Sequence, residues 1–259
     1  MIRTSRWAVA GALAGALLAL VVWAPASLAA QLLARSTNGH LQLSDARGSV
    51  WNGSGLLVFS GGAGSRGAVA LPDRLHWRTQ WSGLSFIVHA RQDCCIKDEL
   101  ELRLSPGWGR MDVAVKDGGE GLLRWPAALL GGLGTPWNTL EPNGQLRLTV
   151  QGLSLHFDAQ GWRQQGRVAV DLVDFSSRVS TLSPLGSYRL SLAGAPEGNT
   201  LQLQTLQGAL QLQGSGRIDA RGAQFRGEAT AAEGREAALD NLLNIIGQRQ
   251  GARSLISLG

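Results

Sequence analysis

Apolar side chains recur at every second position through most of this chain, and a polymer patterned that way buries one face only as pleated strands. Leu100, Leu102 and Leu104 alternate with polar residues, as do Leu146, Leu148 and Val150. The pattern returns at Leu153, Leu155 and Phe157, at Val168, Val170 and Leu172, and at Tyr188, Leu190 and Leu192. It appears again at Leu201 and Leu203 and at Leu210 and Leu212. Gly, Pro, Asn or Asp separate these runs. The spacing predicts a mainly β fold of curved antiparallel meander sheets, half-barrel or sandwich-like, with one face packed and one wet. Segments 143–152 and 207–216 each launch such a strand from a glycine turn, which marks repeated hairpins rather than a solenoid.

Helical periodicity in the body is confined to two places. Residues 119–133 predict a short central helix begun near Pro126, with Leu129 and Leu130 inward and Gly131-Gly132 ending it. Residues 233–247 predict an amphipathic helix packed on the sheet, because Leu239, Leu242, Leu243 and Ile246 fall at i, i+3, i+4 and i+7 and Gly247 supplies the stop. Between them a turn-rich link near residue 140 divides a β-rich half, 31–140, from a second one, 141–259.

Residues 1–30 read differently. Arg3 and Arg6 precede a stretch, Trp7 to Ala30, without a charged residue. About 20 apolar residues at roughly 1.5 Å each span the hydrocarbon layer, so the stretch predicts a transmembrane helix. The positive flank puts the N-terminus in the cytoplasm and the rest in the periplasm, as a single-pass protein of a bacterial inner membrane. A cleaved signal peptide is the rival, since Ser27-Leu28-Ala29 has the small residues a signal peptidase reads; the length of the run and the bracketing Trp7 and Trp23 favour retention.

The net charge of +5 does not point to nucleic acid, because the arginines that dominate it are scattered singly among polar positions. Cys94 and Cys95 are neighbours; a bond between them closes a strained eight-membered ring, so the expectation is two small residues on opposite faces of a strand or turn. His40, His76, His89 and His156 lie far apart in sequence, with no zinc spacing, and read as wet-face strand residues. Residues 62–67 fit GxGxxG formally, but Ala-Val-Ala-Leu-Pro follows rather than a helix, so the segment reads as a loop. Asp171 with Asp174, and Asp98, Glu99 and Glu101, punctuate strands and are expected to face solvent rather than to work as a carboxylate pair. No cofactor, metal site or catalytic residue is expected.

Tryptophan is the residue class with two readings. Trp51, Trp77, Trp81, Trp108, Trp125, Trp137 and Trp162 either fill gaps beside glycines in a curved sheet or line a binding face. Core is the expectation for most, with Trp51, Trp77, Trp81 and Trp137 as candidate partner-binding residues. Trp77 and Trp81, four apart in an alternating stretch, should share a face.

Several segments resemble the type II secretion system protein N family. They are Gly48-Ser-Val-Trp51-Asn-Gly53, Leu71-Pro72 to Trp77, 134–144, Leu182-Ser-Pro184-Leu185-Gly186-Ser-Tyr188, 205–216 and 239–247, whose order and leader together carry the likeness over nearly the whole chain. The resemblance implies a non-catalytic accessory or assembly component of the secretion machinery. Its implied partners are the other inner-membrane subunits and the outer-membrane secretin. The Cys94-Cys95 pair has no place in that pattern. Two rivals stay open from the residues alone: an AsmA-like module handling lipid along an apolar groove, and a periplasmic enzyme or carbohydrate binder.

Overall fold

One antiparallel sheet runs through the chain almost in sequence order. The computed structural model describes residues 3–62, 65, 67–119, 121–134, 137–194, 198–219 and 222–258. Its N-terminal half holds β1 (Leu41–Gly48), β2 (Asn52–Ser60), β3 (Ala68–Ser82), β4 (Ser85–Arg91), β5 (Leu100–Gly107), β6 (Arg110–Val115) and the short β7 (Leu123–Pro126). β8 (Asn143–Asp158), β9 (Gly161–Ser176), β10 (Gly186–Ala193) and β11 (Asn199–Gly208) follow. β12 (Leu210–Asp219), β13 (Gly222–Ala231), β14 (Gln248–Gln250) and β15 (Arg253–Leu258) complete the 15-stranded sheet. It stays open, with β1 and β14 at its edges.

The two-residue pattern becomes a two-faced sheet. Phe86 stands opposite Leu104, Leu104 opposite Val113 and Val113 opposite Leu155. Val170 lies between Leu148 and Leu190, and Leu190 faces Leu203, so one surface is apolar across these strands. The other face carries a polar row, Arg147, Asp171, Arg189, Gln204, Gln213 and Glu228, on successive strands.

Leu146 to Val150 and Leu153 to Phe157, expected as separate strands, are one strand. Leu153 lies three positions after Val150, an odd step that would flip the second triplet to the wet face in a regular pleat. A register break between Gln151 and Ser154 absorbs the extra residue, with Gly152 at φ +57 and Gly166 at φ +82 facing each other there. A Cβ on Gly166 would lie 2.2 Å from the Gly152 carbonyl oxygen, so glycine is required at the crossing.

Helix α4 (Glu236–Ile246) sits as expected, burying Leu239, Leu242 and Leu243 against Leu185, Tyr188, Leu210 and Ala229. Each leucine so buried contributes about 1.5–3 kcal/mol. Its stop differs in mechanism from the expectation. Gly247 is extended rather than left-handed, and glycine is needed because a Cβ would meet the Leu255 carbonyl oxygen at 2.4 Å. Chain beyond the helix returns as β14 and β15.

Three other expectations are corrected. The central segment is no α-helix: β7 pairs with β8, and a 3-10 helix, Ala127–Leu133, follows Pro126 and drops Leu129 onto Leu71. Gly132 packs so closely on Phe59 that a Cβ would meet its carbonyl oxygen at 2.6 Å, and this contact favours the tight turn over a wider helix. Cys94 and Cys95 are joined by a disulfide in the turn after β4, with Cys95 buried beside Leu129. The leader is not one span either: helix α1 (Arg3–Val22) ends before Pro25, whose ring cannot continue the hydrogen-bond ladder, and α2 (Ala26–Ser36) begins afresh after it. Among the described residues no helix is long and apolar enough to cross a membrane.

Both sheet edges are blunted. β1 is packed by α2 and broken by a bulge where Asp45 takes φ +48, and β14 has only 3 residues. In the 62–67 loop, residues 63, 64 and 66 lie outside the described set; Ala68 already starts β3.

Candidate functional site

Where the N-terminal helices meet the sheet, the sequence has placed two tightly constrained glycines. Gly48 closes β1 at φ +83, which an L side chain resists, and starts the turn into β2. Gly53, directly across from Trp77, has no side chain because the indole lies over it; a Cβ would stand 2.5 Å from Trp77 Cζ2. The large ring fills the space left by the small residue, as aromatic–glycine pairs in twisted sheets do.

That ring is also polar at one edge. Trp77 Nε1 donates to the carbonyls of Ser49 and Val50, each at 3.2 Å, and Thr79 Oγ1 donates to Val50 at 2.9 Å. The Thr79 amide donates to the Trp51 carbonyl at 2.7 Å. The β1–β2 turn is thereby clamped onto β3.

The clamped turn in turn holds the leader. Trp51 Nε1 donates to the Val21 carbonyl at 2.8 Å, the Val50 amide donates to Ala24 at 2.9 Å, and Pro25 bridges to Ser49. The first of these bonds takes up a carbonyl in the last turn of α1, where carbonyls lack helical partners, and the others hold the chain just beyond it. Trp51 also packs on Phe86, with centroids 5.9 Å apart, and Trp81 meets Phe86 edge-on at 4.6 Å.

Of the four candidate tryptophans the structure therefore gathers three. Trp77 is 8% exposed and structural; Trp81, on the same face by register, is 65% exposed. Trp51 is half-buried between leader and sheet. Trp137 stands apart, in the one-turn helix α3 (Trp137–Leu140), partly buried against the core under α4. Sequence reasoning missed Phe86 and Thr79, which cross-strand register alone brings to Trp51.

Many of the titratable groups pair with one another. Glu99 receives Arg91 Nε at 2.8 Å and lies 3.2 Å from His89 Nδ1; burial pushes its pKa up, but those two neighbours outweigh it and hold the carboxyl below its ordinary range. Lys116 donates to Glu101 at 2.7 Å and lowers it likewise. Asp171 is gripped by both nitrogens of Arg189, at 2.6 and 2.7 Å, while Asp174 sits at a positive-φ bulge. His156 lies 2.7 Å from Asp112, and His40 bonds the Ser60 carbonyl from a bend rather than a strand. A depression of about 370 Å³ opens on the polar face beside His76, Arg78, His89 and Glu99. Among the described residues no three His, Cys, Asp or Glu side chains converge as metal ligands.

The other segments singled out in the sequence are packing points as well. Glu141, at φ +43, is held by Arg178 at 2.8 and 3.0 Å, and Ser177 donates to the Leu140 carbonyl. Leu185 is fully buried, and Gly208 touches Gly186 so closely that a Cβ would lie 2.2 Å from its Cα. Residues 135 and 136, within the segment 134–144, lie outside the described set. The model of a family described as type II secretion system (T2SS), protein N, matches residues 39–255, from just before β1 into β15. No curated protein and no solved structure matches the chain.

Proposed function

Because this chain belongs to the type II secretion system protein N family, we propose that it serves that machinery as a non-catalytic accessory or assembly component. Its β body would stand at the periplasmic face of the inner membrane, beside the other inner-membrane subunits and within reach of the outer-membrane secretin. The observation that carries this is the extent of the match: 39–255 covers the sheet and α4, so the shared feature is the scaffold itself. The segments that carry the likeness fall where strands, turns and helices are locked together, which suits a part whose task is to hold shape. Residues 31–140 carry the leader junction, and 141–259 carry the core buttressed by α4. Trp51 and Trp81, with Phe86, form the aromatic surface we assign to partner contact.

In-cell cross-linking from Trp81, followed by identification of the attached neighbours, tests the reading. Secretion subunits among them, with export stalled by an in-frame deletion, support it. Normal export of every substrate in the deletion strain sinks it.

A second reading is favoured by the apolar face. α4 and the 3-10 helix cover its ends, while Leu104, Val113, Leu155, Leu192 and Leu201 between them stay half-exposed and Leu190 is 38% exposed. Such a lane suits an acyl chain. Lipid in native mass spectra of the purified protein, lost on Leu190→Gln, would move the assignment to lipid handling.

A further inference from the structure

Antiparallel order brings every second turn of the meander to the same end of the sheet. At that end of the N-terminal half lie three turns: Ser49 to Asn52 between β1 and β2, Gly83-Leu84 between β3 and β4, and Trp108-Gly109 between β5 and β6. Turn tips ordinarily carry polar side chains, because they stand in water. These tips do not. Leu84 is 87% exposed and Trp108 104%, with Trp81 beside them at 65%.

Among the described residues, Leu84 and Trp108 are the exposed large apolar side chains at turn tips of this rim. The next turn at this end, between β8 and β9, is Ala159-Gln160, flanked by the ion pair Asp158–Arg163. The apolar stretch lies where α1 is fastened, through Trp51 and Val50, to the first of the three turns. α1 exposes apolar side chains of its own, with Trp7 at 80% and Leu13 at 61%. The three turns and the residues closing them, 47–53, 82–85 and 107–110, contain two arginines: Arg47, which pairs with Asp45 at 2.9 Å, and Arg110. Tryptophan and leucine at projecting tips, beside Arg110 and next to a helix that carries no charge beyond Arg6, match the boundary between headgroups and acyl chains of an anionic bilayer.

We propose that this rim rests on an anionic lipid surface, with Leu84 and Trp108 seated in it, so that α1 and three hairpins contact the membrane together. A protein partner would need a complementary surface for tips on separate hairpins; a fluid surface adapts to them without one. The inference rests on the membrane placement proposed above and adds an orientation: the strands stand with this rim toward the bilayer and the α4 end away from it.

The test uses the full chain in vesicles of phosphatidylethanolamine and phosphatidylglycerol. Leu84→Cys, Trp108→Cys, Leu13→Cys and Thr181→Cys each carry an environment-sensitive fluorophore, the native cysteines being bonded to each other. Thr181 lies in the connection from β9 to β10, at the opposite end of the sheet. Brominated lipids should quench the labels at 13, 84 and 108 and leave 181 bright. Quenching at 13 alone overturns the rim proposal and leaves the membrane placement standing. No quenching at 13, 84 or 108 overturns both.

Discussion

Trp51 donates its indole N–H to the carbonyl of Val21, 30 positions earlier and 2.8 Å away, and so ties the end of the leader helix to the first hairpin. Trp51→Phe keeps the ring on Phe86 and removes only that donor. A lost hydrogen bond at a partly exposed site costs about 0.5–1.5 kcal/mol. Hydrogen exchange should therefore quicken locally at Val22 to Ala24, while the thermal midpoint of the sheet barely moves. Unchanged exchange there would show that the Ala24 and Pro25 contacts suffice.

Gly53→Ala places a methyl group where Trp77 lies. Overpacking of this kind costs about 1–3 kcal/mol, and Trp77→Ala about 3–5 kcal/mol. Since each change acts on the same contact, the double variant should lose less than the two losses added together. Urea midpoints measure this, and strict additivity would remove the clamp from the account.

Tyr188 is the only tyrosine in the chain, so its ultraviolet titration is read without overlap. Burial raises its pKa well above the ordinary 10.0, and its hydroxyl donates to the Leu210 carbonyl at 3.0 Å. A folded pKa above the unfolded one means that the unfolded chain gives up its proton first as pH rises. Stability from this group is full below about pH 10 and declines from there upward. Tyr188→Phe should abolish that decline and cost about 1–3 kcal/mol at neutral pH for the carbonyl left unpaired. A tyrosinate signal at the free-tyrosine pH in folded protein would contradict it.

Asp45, in the bulge of β1, is held below its ordinary pKa of 3.8 by Arg74 first and Arg47 second, against an opposing effect of burial. A depressed folded pKa gives stability present above 3.8 and lost as pH falls through the lower folded value. The group is exposed, so the effect is small and salt-sensitive. Asp45→Asn should lower the urea midpoint at neutral pH and flatten its acid dependence. Equal acid dependence in both proteins would assign the loss to other carboxylates.

The β runs from Leu100 to Leu212 were legible because a side chain's face in a strand depends only on the parity of its position. The helix 236–246 was legible for the same kind of reason, through its i, i+3, i+4, i+7 leucines. Short strands such as β7, β14 and β15 were not, since three to six residues carry too little pattern to stand out. The candidate site was half legible: Trp51, Trp77 and Trp81 were singled out, but Phe86 and Thr79 come from other positions along the β3–β4 hairpin that only pairing brings to Trp51.

Sequence alone determined the fold class, the charge-free stretch from Trp7 to Ala30 and the family likeness, because periodicity, charge order and motif order are properties of a line. Tertiary structure decided which turns share a rim, why Gly53 bears no side chain, and that Cys94 and Cys95 are bonded. It also broke the leader at Pro25 and packed Trp137 partly buried against the core. Apart from the Cys94–Cys95 bond, which joins neighbours, and the break at Pro25, which is local, those are matters of distance between residues far apart in the chain, and distance is set by strand register and packing, which no local pattern encodes.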